Sequence, residues 1–312
     1  MTRFALPAFA FFASASVVAA QNATEFKGHT ELIHSVAVSP DGKQLATAGF
    51  DNLIKLWDIG SGKNTLTLAP HGAPVYCVAY RPDGKVLASS SQDKTIRLWS
   101  LPDGKQIQEL KGHTDIVDQI AFSPDGKFMA SGSDDKSVRL WNAADGKEVK
   151  NLGAHAGSVF AVAFSADSKF LASGGTDNVV KVWDIAGLKE LKTIKGPEMA
   201  ITGVAFTPDG KSVLAVGFDR FVRVLDVNSG KEVKKFDATD DDLFGIAWSR
   251  DGKILATIGY SGMIRVWDIN TGKPTFTHKI KSPAYCITFS ADGKSVITGH
   301  NNHLAMVTAL GK

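Results

Sequence analysis

The chain has 312 residues, with 35 Lys and Arg against 32 Asp and Glu, a formal net charge of +3, and 44% apolar and 21% charged residues. These proportions exclude wholesale disorder, and the near balance of charge argues against a nucleic-acid binder that works by bulk charge. The two cysteines are too few for a disulfide framework.

Arg3 supplies a positive start, and Phe4 to Ala20 carries no charge over 17 residues. Val18-Ala19-Ala20 then presents small residues before Gln21, the pattern of a secretory signal peptide spanning residues 1–20. A membrane anchor is the competing reading, but the run is short and no charged stop follows it. Cleavage after Ala20 leaves residues 21–312 as one domain, exported, periplasmic or secreted, with no membrane span. The short Ala-rich leader leans towards a bacterial source.

Beyond the leader the sequence repeats. Trp57, Trp99, Trp141, Trp183 and Trp267 fall on one grid with a step of 42, Leu225 filling the vacant node. His29, His71, His113 and His155 form a parallel grid 28 residues upstream. Asp41-Gly42-Lys43 recurs at Asp83, Asp125, Asp167 (with Ser168 for Gly), Asp209, Asp251 and Asp292. Seven such units fill the mature length. In the first, Val36 to Val38 alternates, Asp-Gly turns the chain, Leu45 to Ala48 returns, Leu53 to Trp57 alternates again, and Thr65 to Leu68 follows Ser61-Gly62-Lys63. Each unit is therefore a four-stranded antiparallel sheet. One such sheet cannot bury both faces, whereas seven stacked radially do so.

Gly28-His29, Gly112-His113, Trp57-Asp58, Trp183-Asp184 and Trp267-Asp268 resemble the GH and WD dipeptides of WD40 repeats, from Phe26 to Thr308. The resemblance implies an all-β, seven-bladed β-propeller. In that family each repeat begins with the outer strand of the preceding blade. Thr24 to Lys27 would then pair with Leu304 to Val307, closing the ring with the N-terminal strand in the last blade.

The recurring His, Ser/Thr and Asp are not read as catalytic triads, because four copies in one chain would make no catalytic sense. The resemblance implies a buried hydrogen-bonded chain instead: His29, Thr47, Asp51, Trp57; His71, Ser89, Asp93, Trp99; His113, Ser131, Asp135, Trp141; His155, Ser173, Asp177, Trp183. Blade five has Pro197, Ala215, Asp219 and Leu225 at these nodes, blade six Thr239, Thr257, Ser261 and Trp267, blade seven Ile280, Thr298, Asn302 and Thr308. Blades five to seven are accordingly expected to open more readily. Cys77 and Cys286 share a register with blade one between them, so no disulfide is expected and both are read as buried small apolar residues.

The resemblance also places partners at the top face, on two sets of positions around the channel mouth. One set is His34, Tyr76, Asp118, Phe160, Thr202, Phe244 and Tyr285; the other is Phe50, Gln92, Asp134, Thr176, Phe218, Tyr260 and Asn301. Seven of these fourteen are aromatic, against 9% of the chain, which marks either an interface or a plug of packed loops. Asp118, Asp134 and Asp240-Asp241-Asp242 add negative charge. An aromatic, acidic mouth suits a peptide or protein bearing a basic side chain, which Asp118 would pair. A small ligand or glycan stacked on the same rings is the alternative. The opposite face, with its Asp-Gly-Lys turns and Lys63, Lys105, Lys147, Lys189, Lys231 and Lys273, reads as a solvated surface of cancelling charge. No metal or cofactor is expected, since no ligand cluster or phosphate loop accompanies His34 and Asp118. The expectation is a non-enzymatic interaction module, monomeric on its own, that binds no nucleic acid.

Overall fold

The computed structural model describes residues 24–69, 71–238 and 241–311. The leader, Thr239 and Asp240 lie outside the described residues. The described chain forms seven four-stranded antiparallel sheets. In blade one the strands are Ile33–Val38, Gln44–Gly49, Ile54–Asp58 and Asn64–Leu68, from the channel outward.

The Asp-Gly-Lys turns work by side-chain chemistry. Asp41 accepts from the Ser39 hydroxyl at 2.6 Å and the Lys43 N–H at 3.1 Å, and Ser39 Oγ accepts the Gln44 N–H at 2.9 Å. Gly42 sits at φ 75°, the left-handed region glycine enters without steric cost. Blade four places Ser168 there at φ 61°, and its hydroxyl accepts the Asp125 N–H at 3.1 Å from the neighbouring turn.

The hydrophobic core lies between blades rather than inside any one. Ala46, Ile54, Leu56 and Leu68 of blade one pack with Val75, Val78, Leu87 and Trp99 of blade two. The same arrangement recurs at each of the seven junctions. The last junction closes the ring. Glu25–Lys27 pairs antiparallel with Leu304–Ala309, in the register Glu25 to Met306, Phe26 to Ala305 and Lys27 to Leu304. Phe26 is fully buried among Ile33, Leu45, Trp57 and Ile297. The seven-bladed architecture and the closure are as the repeat predicts.

Blades one to six carry a register slip in both the outer and the inner strand, and blade seven in the inner strand alone. One lies in the outer strand, where Ile107, Val149, Leu191 and Val233 are the unpaired residues and are 39–60% exposed. Such bulges blunt an outer edge that would otherwise invite pairing with another chain. The other lies at the start of the inner strand and builds the channel mouth.

Candidate functional site

In blade one Ile33 pairs with Gly49 and Ser35 with Ala48, leaving His34 as the extra residue of a β-bulge. The same slip isolates Tyr76, Asp118, Phe160, Thr202, Phe244 and Tyr285 in the other six blades. A bulge re-aims the side chain it frees, and all seven line the central channel, a cavity of about 220 Å³. Each inner-strand position of the mouth is thus made by a local backbone defect repeated around the ring.

The rings form a continuous arc. Phe218 meets Phe244 with ring centroids 5.6 Å apart, and Phe244 meets Tyr260 at 5.8 Å and Tyr285 at 5.4 Å. Tyr285 reaches His34 at 6.1 Å, and His34 stacks on Phe50 at 5.4 Å and meets Tyr76 at 4.9 Å. The arc crosses blades five, six, seven, one and two. All of these rings are partly exposed, Tyr260 most at 48%. Phe160 lines the same channel on the far side and makes no ring pair with the arc among the described residues.

Hydrogen bonds stiffen the mouth across blade boundaries. His34 Nδ1 donates to the Tyr76 carbonyl at 2.8 Å, which puts the proton on Nδ1, and burial lowers the pKa of the ring, keeping it neutral. Thr202 Oγ1 donates to the Leu243 carbonyl at 2.7 Å. One step deeper, Ser35 accepts the Val78 N–H at 3.2 Å and Gln119 accepts the Val162 N–H at 2.7 Å.

The acidic side of the mouth is narrower than the sequence implied. Asp241 accepts the Ser261 N–H at 2.7 Å, and Asp242 pairs with Arg220 at 3.0 Å. These partners come from neighbouring turns, and Arg220 offsets the charge of Asp242. What remains is Asp118 and Asp134, on blade three, facing the arc. Burial first, then the neighbouring Asp134 and Asp115, push Asp118 up to about 8. That shift favours the protonated form of Asp118 in the empty channel.

Cys286 departs from expectation in being half-buried on the channel wall. Cys77 is buried, its sulfur 3.8 Å from Ser35 Oγ, and both thiols are free.

Away from the mouth, the Trp, Ser/Thr, His and Asp of blades one to four meet as chains. In blade two Trp99 Nε1 donates to Ser89 Oγ at 3.0 Å, Ser89 lies 2.9 Å from His71 Nε2, and His71 Nδ1 lies 2.7 Å from Asp93. These partners assign the proton to Nδ1 and leave Nε2 to accept from the hydroxyl. Burial alone would raise Asp93, but the bonds from His71 and Thr95 outweigh it and hold the carboxyl down at about 2. Blade one repeats the geometry through Trp57, Thr47, His29 and Asp51 (2.9, 2.7 and 2.9 Å). Blade three does so through Trp141, Ser131, His113 and Asp135 (2.8, 2.7 and 2.8 Å). Blade four uses Trp183, Ser173, His155 and Asp177 (2.9, 2.7 and 2.9 Å).

Sequence reasoning missed the substitutes in the later blades. In blade five Arg223, 3% exposed, joins Asp219 at 2.8 Å, Glu232 at 2.5 Å and Glu198 at 3.2 Å. Blade six keeps the link from Trp267 Nε1 to Thr257 at 2.9 Å. In blade seven His300, fully buried, lies 2.7 Å from Thr298 Oγ1. His300 pairs with Ala284 as Gly49 pairs with Ile33, and a Cβ at Gly49 would point into the His29 ring at 2.7 Å. The second strand thus supplies the imidazole that the leading loop supplies elsewhere.

The face bearing the Asp-Gly-Lys turns is electrically paired, with Lys127 3.5 Å from Asp125, Lys169 3.3 Å from Asp167 and Lys253 3.5 Å from Asp251. Among the described residues no group of three or more His, Cys, Asp or Glu is placed to hold a metal ion, and no helix is long and apolar enough to cross a membrane.

The family model of the IFT122 first beta-propeller matches residues 74–303, and that of the WD domain, G-beta repeat, matches residues 20–58. Ribosome assembly protein 4 of Saccharomyces cerevisiae is 56% identical over 36 residues, 12% of this chain and 7% of that protein. Cross-pathway control WD-repeat protein 2 of Flammulina velutipes is 44% identical over 45 residues, 14% of each chain. Small ribosomal subunit protein RACK1z of Arabidopsis thaliana is 46% identical over 41 residues, 13% of this chain and 12% of that protein. Each match spans about one repeat, between 7% and 14% of the relative's own length.

Proposed function

The chain belongs to the WD40-repeat family of β-propellers, proteins that typically serve as interaction scaffolds, and from that premise we propose that it is an exported protein-interaction module. Its ligand is a peptide segment or partner surface held at the channel mouth. One observation carries this reading: the unbroken arc from Phe218 to Tyr76, partly exposed and facing Asp118 and Asp134 across the channel. Rings held by their neighbours lose little entropy on binding and bury much area, so they anchor a partner well. Their faces attract a cation, and the carboxyl pair opposite completes a seat for an Arg or Lys side chain. The paired charges of the opposite face give it less to offer a partner. The leader-like residues 1–20 support export to the periplasm or exterior, and in this reading the protein is a monomer until it meets its partner.

The test is affinity capture from an envelope extract with the wild type and with a variant carrying Tyr76→Ala, Phe160→Ala, Phe244→Ala and Tyr285→Ala, its fold checked by circular dichroism. A protease-sensitive ligand retained by the wild type and lost by the variant is the expected result. Equal retention by both would move the site elsewhere. A ligand that resists protease and is lost by the variant would mark a glycan stacked on the same rings.

A further inference from the structure

The wall of the channel opposite the aromatic arc has a chemical peculiarity. Asp118 Oδ2 is buried and has no hydrogen-bond partner. Asp134 and Asp115 lie close enough to act on it, and no Lys or Arg is among the residues lining the channel. Facing Asp118 are Tyr76 and Cys77 from the inner strand of blade two, Asp115 and Asp134 from its own blade, and the channel-lining Phe160 from blade four. None of these supplies a positive charge. An ionised carboxylate there would leave its buried Oδ2 without a donor and the group without a cation, next to a second carboxyl.

We propose that binding at the mouth is coupled to the loss of one proton: Asp118 is a carboxylic acid in the empty channel, and a guanidinium or ammonium group of the partner enters beside it in exchange for that proton, which leaves to solvent. This rests on the reading of the mouth as the partner site and adds how that site is regulated. The exchange selects for charge, because a neutral amide of the same shape gives the carboxyl no reason to ionise. It also makes the site responsive to its surroundings. Apparent affinity for a cationic side chain should fall about tenfold per pH unit below the point at which Asp118 ionises. Burial and its acidic neighbours set that point at about 8. Burial moves three other titratable groups of the mouth away from that point, lowering His34 and raising Tyr76 and Tyr285.

The test uses the protein with Asp carboxyl carbons labelled by carbon-13, titrated from pH 5 to 10 with and without N-acetyl-arginine methylamide or its neutral citrulline counterpart. Asp118 is assigned by loss of its signal in Asp118→Asn. The expected result is a transition near pH 8 in the free protein, displaced to lower pH by the arginine probe and unmoved by the citrulline one. The arginine probe should also bind roughly tenfold more weakly at pH 6 than at pH 7, a slope lost in Asp118→Asn. A free-protein transition in the ordinary carboxylate range overturns the coupling, and pH-independent binding of the arginine probe in that case leaves the mouth standing as a partner site. A high transition that the arginine probe does not move, with no binding, overturns the coupling and the basic-partner reading together.

Discussion

Phe26 meets Trp57 edge-on, ring centroids 5.7 Å apart and planes at 63°, although Phe26 sits in the outer strand of blade seven and Trp57 in the third strand of blade one. The contact packs the closing strand of blade seven, which pairs Phe26 with Ala305, against blade one. Phe26→Ala removes a fully buried ring at that junction and should cost about 3–5 kcal/mol. Deleting residues 21–28 should cost more, because three strand pairs are lost with the ring. Thermal denaturation reads both, and an unchanged midpoint for either would contradict closure through this strand.

Ser89 is the shared hub of its chain, accepting from Trp99 and donating to His71. Ser89→Ala leaves a buried indole N–H and a buried imidazole nitrogen without partners. Each unmet group costs about 1–3 kcal/mol, so denaturant unfolding should show a loss well beyond that of an exposed Ser→Ala. A change within 0.5 kcal/mol of wild type, on the order expected of a surface site, would mean the chain adds nothing to stability.

Much of this architecture was legible because its signals are local. The 42-residue grid, the Asp-Gly turns and the alternation of Val36 to Val38 each follow from the chemistry of a few neighbouring residues. The mouth positions were legible by register, but not the reason they reach the channel. A β-bulge is a relation between two strands, here Ile33 to Gly49 and Ser35 to Ala48. Its only trace in one strand is the broken alternation of Ile33, Ser35 and Val36, all buried. Arg223 lies off the Trp and His nodes that blade five leaves vacant. Its signal was a basic residue at the same step in Lys55, Arg97, Arg139 and Lys181. His300 sits where other blades carry Gly or Ser, so a search along the His grid passes it by. The pairing of Asp242 with Arg220 depends on how two loops meet, which strand periodicity does not encode.

Arg223 holds Asp219, whose side chain is only 6% exposed, so breaking the cluster strands a buried charge. Arg223→Met should destabilise by about 3–5 kcal/mol. Arg223→Met combined with Asp219→Leu should recover much of that loss, because the orphaned charge goes with its partner. A double variant as unstable as the single one would mean the cluster supplies more than charge compensation.

Amide hydrogen exchange compares the blades directly. Blades five to seven lack a full four-residue chain, and in blade seven Thr308 Oγ1 is buried without a hydrogen-bond partner. Their second and third strands should exchange faster than those of blades one to four. Slower exchange in blade seven than in blade two would contradict this.

His300 gives the stability a defined acid slope. Burial pushes it down to about 4, whereas an unfolded chain takes up that proton near pH 6.5. Between those values the unfolded chain binds more protons, so the contribution of this group is full above about pH 6.5 and is lost as pH drops towards 4, by roughly 3 kcal/mol. His155 is shifted the same way by burial, so His300→Gln should reduce the slope without abolishing it. Asp93, held at about 2, adds its loss only below the ordinary carboxylate range. Stability measured from pH 7 to 4 on both proteins checks this, and identical slopes would contradict it.

Oxidative footprinting of the aromatic side chains, with and without the captured partner, tests the central claim most directly. Partner binding should shield Phe50, Tyr76, Phe218, Phe244, Tyr260 and Tyr285 together, while Phe276 on the outer strand of blade six keeps its free-state reactivity. Shielding of Phe276 with the mouth rings unchanged would place the partner on the blade rim and contradict the account.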